Sequence, residues 1–256
     1  MSDALVLVED LDGVRTLTLN RPDKRNALNG ALVAELKATL TAAEADSSVR
    51  VIALRGAGKD FCSGADLAEL ERISTMTEEE NLEDARSLGA LFTQMRYGAK
   101  PIVAVVHGRA LAGGCGLATA CDLVLARDDA AFGYPEVYLG FVPALVMTIL
   151  RRRTGEGRAF ELVAQGDRFS AVDGERLGLI NRVFPADTFE DEATAYLASL
   201  AKKPTSALVL TKSLLYELDH LSFEEGIERG AQVNVEARMT EECQEGVRRF
   251  LRKSTS

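Results

Sequence analysis

The stretch KPIVAVVHGRALAGGCGLATAC, residues 100–121, holds three elements in succession. PIVAVVHG is a continuous apolar run of the kind a buried strand makes; a glycine-bearing turn follows, and an apolar helix then opens on Gly113, Gly114 and Gly116. The same order occurs earlier in VRVIALRGAGKDFCSGADLAEL, residues 49–70, with Gly64 in its turn. Strands alternating with helices in this way predict an α/β protein. The first turn of a helix carries N–H groups without partners, with the positive end of the helix dipole behind them. Two such ends facing each other would hold an oxyanion, and glycine lets the backbone come close to it. For any single glycine, close packing of strand on helix is the commoner reason; the cradle also has no reactive side chain in its central turn.

Outward from these units, ALVLVED and VRTLTLN flank Leu11, Asp12 and Gly13, a hairpin signal because Asp-Gly supplies the positive φ angles of a tight turn. Asn29 caps a helix over 30–45, Thr77 with Glu80 forms a capping box for a helix ending near Tyr97, and CDLVLAR is a further buried strand. After INRVFP the pattern becomes helical only, over about 188–200, 205–218, 222–241 and 242–252, with Pro204 as a break. The expected organisation is an α/β body, 1–186, and a helical C-terminal region, 187–256.

Composition narrows the function. The chain has 256 residues, 46% of them hydrophobic and 27% charged, with a formal net charge of -9, which argues against a basic nucleic-acid reader. Its one basic cluster, Arg151 to Arg153, is a weak basis for RNA binding. Four cysteines without CxxC spacing and two histidines suggest reduced thiols, no disulfide framework and no metal site. The N-terminus lacks the basic and apolar regions of a signal peptide, and FVPALVMTIL is about half of the roughly 20 residues a spanning helix needs. A soluble cytoplasmic protein with no membrane partner is expected.

Two readings of the glycine turn fail on their spacing. Gly114-Cys115-Gly116 resembles half of a dinucleotide fingerprint, but Thr119 stands where a third small residue belongs. A triad of Ser63, His107 and Asp66 lacks the G-x-S-x-G elbow. One carboxylate has a suggestive setting: Glu136 in FGYPEVYLGF sits among aromatic and apolar residues, which would raise a carboxyl pKa toward the range useful for proton transfer, while a solvated surface glutamate is the commoner reading of that segment alone.

The ordered set LTLNRPDKRNALN, DFCSGADLAEL, PIVAVVHGRALAGGCGLATACDLVLA, FGYPEVYLGFVP, ERLGLINRVF and EGVRRFLRK resembles the enoyl-CoA hydratase/isomerase (crotonase) family over nearly the whole chain. The resemblance implies a crotonase-like spiral of β-β-α units with a C-terminal helical region used for oligomer contacts, in a homotrimer or a hexamer of two trimers. It implies an acyl-CoA thioester substrate, coenzyme A being part of that substrate, and no separate cofactor. By the same resemblance the N–H groups of Ala65 and Gly113 form the oxyanion hole, with Gly114 and Gly116 beside it, and Glu136 is the catalytic carboxylate. Asp66, Leu67 and Ala68 would line the thioester end, the backbone of Ala27 and Leu28 would meet coenzyme A, and Phe250 and Lys253 would reach the coenzyme of a neighbouring subunit.

The chain departs from the family pattern at one position. Two-glutamate hydratases carry their first glutamate where this sequence has Gly116. Hydration of a 2-enoyl-CoA, or dehydration of a 3-hydroxyacyl-CoA, is the expected reaction; a single-glutamate 3-enoyl to 2-enoyl isomerase is the alternative, and a non-catalytic CoA-binding or RNA-binding protein is the alternative of a different class. Glu69 is a candidate for a second acid, and Tyr134 and Tyr138 for holding a water. Gly116 is expected to widen the pocket; Arg72 is read as a surface arginine, with pairing to a substrate carboxylate as the less favoured alternative.

Overall fold

The computed structural model describes residues 4–254. The hairpin pairs β1 (Val6–Leu11) with β2 (Val14–Leu19), and its turn places Asp12 and Gly13 at φ 49° and 81°. α1 (Gly30–Ala45), whose cap Asn29 accepts from Leu32 N–H, carries the chain across to β3 (Val51–Gly56), parallel to β2. α2 (Leu67–Ile73) and α3 (Glu78–Tyr97) follow, the latter with the Thr77/Glu80 capping box in place. β4 (Ile102–Val106) and β6 (Leu123–Arg127) extend the parallel sheet, and β9 (Arg182–Phe184) ends it, giving the order β1-β2-β3-β4-β6-β9.

A second, smaller sheet was hidden from sequence reading. It joins β5 (Arg109–Leu111), β7 (Ala131–Gly133) and β8 (Arg168–Ser170) in the order β5-β7-β8. Strands of three residues are too short to show a period of two, so RAL and AFG carry no pattern. Between β5 and β6 lies α4 (Gly113–Ala120), buried from Gly114 to Ala120. α5 (Ala144–Thr154) and α6 (Glu156–Gln165) precede β8, and α7 (Ala171–Arg176) precedes β9.

The six-stranded sheet is covered on both faces, as a parallel sheet requires. On one side Leu17, Leu54, Ala104, Val106 and Val124 pack with α1, α3 and α4 in the main core. On the other, Val51, Ala53, Val103, Val105 and Leu125 meet Phe189, Ala193, Leu197 and Ala201 of α8 (Phe189–Ala201). α9 (Thr205–Glu217), α10 (Phe223–Met239) and α11 (Glu241–Ser254) complete the chain. α9 is fixed to the body by one buried cation: Lys212 Nζ donates to Met95 O and Lys100 O and pairs with Asp122 Oδ2, each at 2.9 Å. Among the described residues no helix is long and apolar enough to cross a membrane, and no group of three ligating side chains could hold a metal.

Candidate active site

Two turns lie against each other at the start of α2 and α4. Leu111 N–H donates to Cys62 O at 3.0 Å and Cys62 N–H to Arg109 O at 3.1 Å, so the segment before Gly64 runs parallel to β5. The approach is too close for side chains. A Cβ on Gly64, which sits at φ 96°, would lie 2.8 Å from Ala112 Cβ and 2.9 Å from Leu111 O, and one on Gly114 would lie 2.3 Å from Cys62 O. Packing and function therefore demand the same glycines.

At these turns the N–H groups of Ala65 and Gly113 have no hydrogen-bond acceptor among the described residues. Leu28 uses both its backbone groups on the residues flanking Ala65, its N–H to Gly64 O at 2.7 Å and its O from Asp66 N–H at 3.0 Å. Ala65 itself then turns its N–H away from that pairing. Gly113 is the first residue of α4, so its N–H has no acceptor one turn back. Ala112, just before it, is held at φ 49° and ψ -129°, anchored by its N–H to Gly133 O and its O from Gly116 N–H, both at 2.9 Å. A non-glycine residue in that region stores strain, and here the strain aims the start of α4.

Glu136 arrives at the same end of the small sheet. Leu111 of β5 pairs with Gly133 of β7; Gly113 is two residues beyond the first and Glu136 three beyond the second. Pro135 opens the 3-10 turn Pro135–Leu139 and Gly140, at φ 70°, closes it. Tyr134 anchors the turn: it is fully buried, with its hydroxyl 3.3 Å from Thr119 Oγ1. Glu136 is half-buried, and its Oε2 is shielded from solvent with no hydrogen-bond partner among the described residues. Burial raises its pKa, against a smaller opposing effect of its own backbone N–H. A carboxylate so desolvated, with no partner among the described residues, is disposed to exchange a proton, and it stands at the same end of the small sheet as the two turns.

Comparison with known proteins decides the family. The sequence profile of the enoyl-CoA hydratase/isomerase family matches residues 9–256. The chain belongs to that family. It is 42% identical over 240 residues to a Thermus thermophilus protein carrying a provisional enoyl-CoA hydratase name, covering 94% of this chain and 95% of that one. It is 34% identical over 251 residues to the 2,3-dehydroadipyl-CoA hydratase of Escherichia coli, covering 98% and 96%. The crystal structure of an enoyl-CoA hydratase from Mycobacterium smegmatis superposes with a TM-score of 0.93 at 33% identity, over 98% of this chain and 97% of that one. The fold is thus the crotonase fold, and the protein is an acyl-CoA enzyme of the hydratase/isomerase family.

The remaining family positions differ in how they sit. Ala27 and Leu28 are buried beside the first turn, and Arg21 donates to Ala27 O, drawing that carbonyl into the interior. Asp66 is engaged within the fold. Its carboxylate accepts from Arg21 at 2.7 Å and from Ala68 N–H at 3.1 Å, capping α2; the Arg21 hydrogen bond, with the cap, holds it below the usual carboxylate range. Ala68 is exposed on the first turn of α2, and the side chains of Leu67 and Lys253 lie outside the described residues. Phe250 is exposed on α11 and lines an apolar groove with Pro204, Ala207 and Val247.

Several expectations are corrected. Gly116 does not widen the pocket, because a Cβ there would lie 2.3 Å from Val146 Cγ2. Arg72 is taken up by Glu69 and Asp84, each at 2.7 Å, so neither Arg72 nor Glu69 is free for substrate. Tyr134 is sealed away from any water, and Tyr138 is exposed with its hydroxyl donating to Asp167 at 2.9 Å. Two readings set aside on the sequence gain no support: His107 bonds Gly58 O rather than Ser63, and the basic cluster is dispersed, with Arg151 on Glu156, Arg152 on Asp219 and Arg153 on Cys121 O.

Sequence reasoning missed three contributors. Arg21 supports both Ala27 and Asp66; Asn26, fully buried, donates to Ala57 O and Asp60 O at 2.8 Å each and accepts from Arg21 N–H; Val146 faces Gly116. NRPDKRN does hint at the first two, since an arginine and an asparagine within one loop are natural hydrogen-bonding anchors. Nothing in the sequence pairs positions 116 and 146.

Proposed function

We propose that the protein catalyses the reversible hydration of a 2-enoyl-CoA. The observation that carries this reading is Glu136 Oε2, buried and unpartnered, beside the outward N–H groups of Ala65 and Gly113. The thioester oxygen accepts from both N–H groups. As a water oxygen bonds to C3, Glu136 takes a proton from that water, and the C2=C3 pair moves into an enolate stabilised in the hole. Glu136 then returns a proton to C2, giving the 3-hydroxyacyl-CoA and regenerating the carboxylate. One carboxylate balances the reaction, and the hydratase names of the relatives support water as the nucleophile.

A second reading has its own observation. Val146 fills the room beside Gly116, where the first glutamate of a two-glutamate hydratase would stand, and one carboxylate suffices to carry a proton between C2 and C4 of a 3-enoyl-CoA. Purified protein incubated with crotonyl-CoA and with 3-hexenoyl-CoA in deuterated buffer, followed by mass spectrometry, separates the two. A hydroxyacyl-CoA that disappears in Glu136→Gln supports hydration; deuterated 2-hexenoyl-CoA without water addition replaces it with isomerisation. Silence on both with retained CoA binding supports a binding protein.

The exposed apolar residues Ile227, Val235 and Met239 of α10 and Val247 and Leu251 of α11 support a homotrimer or hexamer, with these helices in the contact. Light scattering on the eluting protein measures the mass directly.

A further inference from the structure

The position that departs from the two-glutamate pattern is closed by a single side chain. Gly116 lies one turn beyond Gly113 on α4, on the same face as the residue whose N–H forms half of the hole. The three atoms nearest to a Cβ at 116 all belong to Val146: Cγ2 at 2.3 Å, and Cβ and Cγ1 at 3.5 Å. No backbone atom is among them. This differs from Gly64 and Gly114, where carbonyl oxygens of neighbouring segments stand in the way. The obstruction at 116 is therefore a matter of one valine, whereas at 64 and 114 it is a matter of the fold.

Val146 is well held. It is 4% exposed, sits one turn before the fully buried Leu150 on α5, and belongs to the main core with Cys115, Leu117 and Ala118 of α4. A β-branched side chain in a helix has essentially one χ1 rotamer, so Val146 cannot swing aside at low cost. With Gly116 it forms a complementary pair in which a missing side chain on α4 is matched by a methyl group on α5.

We propose that Val146 is the residue that sets the chemistry of this site, by filling the space from which a second carboxylate and its water would otherwise reach the substrate. Glu136 is thereby left as the single proton carrier, and the balance between water addition and double-bond migration is fixed by the shape of α5 rather than by the hole. This inference rests on the enoyl-CoA reading above and extends it from what the site does to what limits it.

The test has a part that needs no substrate. Gly116→Ala is made in the natural protein and in a Val146→Ala background, where of the three nearest atoms only Val146 Cβ, at 3.5 Å, remains. The substitution is expected to lower the thermal midpoint by about 5 °C in the first background and by no more than about 1 °C in the second. Equal costs in the two backgrounds overturn the claim that Val146 closes the position.

The second part reads the reaction. Gly116→Glu/Val146→Ala is compared with Val146→Ala and with Gly116→Glu, which keeps the valine, on crotonyl-CoA and 3-hexenoyl-CoA, with kcat and kcat/KM followed across pH. A rise of about tenfold or more in the ratio of hydration to isomerisation, with a second ionisation in the pH profile, is expected. An unchanged ratio in a folded, Glu136-dependent double variant overturns the proposal. Silence of the natural protein on both thioesters sinks the enoyl-CoA reading instead, and the thermal comparison still decides whether Val146 closes position 116.

Discussion

Glu136 is placed at a cost that its proposed role as proton carrier would explain. Burial raises its carboxyl pKa while leaving Oε2 without a partner, so ionisation disfavours the folded state. The folded-state pKa lies above the unfolded one; the loss of stability therefore sets in above the ordinary glutamate value and is complete above the raised one. Glu136→Gln should melt higher than the natural protein at neutral pH, with the difference vanishing in acid, as paired thermal scans will show. The same substitution should lower turnover by about 10²- to 10⁴-fold. In the natural enzyme the acid limb of kcat/KM should fall above the range of an ordinary glutamate, since the resting enzyme needs the carboxylate form. Gly64→Ala tests the hole itself: the residue would have to hold φ 96° with its Cβ 2.8 Å from Ala112 Cβ, and should lose about 10²-fold in kcat with CoA affinity less affected. Glu136 could be singled out in the sequence because its aromatic neighbours implied burial. Ala112 could not, because nothing marks an alanine that will adopt a left-handed backbone.

At the scale of elements, the site is a junction where short pieces are held by polar anchors. α2 has only seven residues, and its first turn carries the Ala65 N–H into place through the Asp66 cap and its Arg21 partner. Arg21→Ala should remove a hydrogen bond from both Asp66 and Ala27 O, and loss of about 1 kcal/mol of capping should appear as a several-fold drop in kcat/KM with the overall fold intact by circular dichroism. The long elements were legible beforehand. Asn29, Thr77 with Glu80, and the apolar runs of β3, β4 and β6 each announced themselves through local chemistry. The pieces that bring the site together were not: β5 and β7 owe their existence to each other, through the pairing of Leu111 with Gly133, and a long-range pairing of three residues leaves no local signal.

For the whole molecule, the buried cation at Lys212 links the helical C-terminal region to the sheet. It has carbonyl acceptors on Met95 and Lys100 and one acid, Asp122, which also accepts from Ile102 N–H at 2.7 Å and Tyr216 at 2.6 Å. Asp122→Ala should leave a buried, unpaired ammonium and cost about 3 kcal/mol or more, a fall of roughly 10 °C in the thermal midpoint, while Lys212→Ala/Asp122→Ala should recover part of it. The alternation of strands and helices placed the chain correctly among α/β proteins, yet this network could not be foreseen, since a lysine and an aspartate 90 positions apart give no sign that they will meet.

The order of the large sheet follows the order of the chain, each new strand being laid on the open edge. A chain emerging from the ribosome could therefore build the sheet progressively, with no strand to be inserted between two others. Only one face would be closed as it grew. The stripe of Val51, Ala53, Val103, Val105 and Leu125 has to wait for Phe189, Ala193 and Leu197 of α8. Until some 200 residues have been made the nascent protein exposes this greasy surface, which makes it a natural client for chaperones; a fragment cut at 186 should form aggregates instead of a working half.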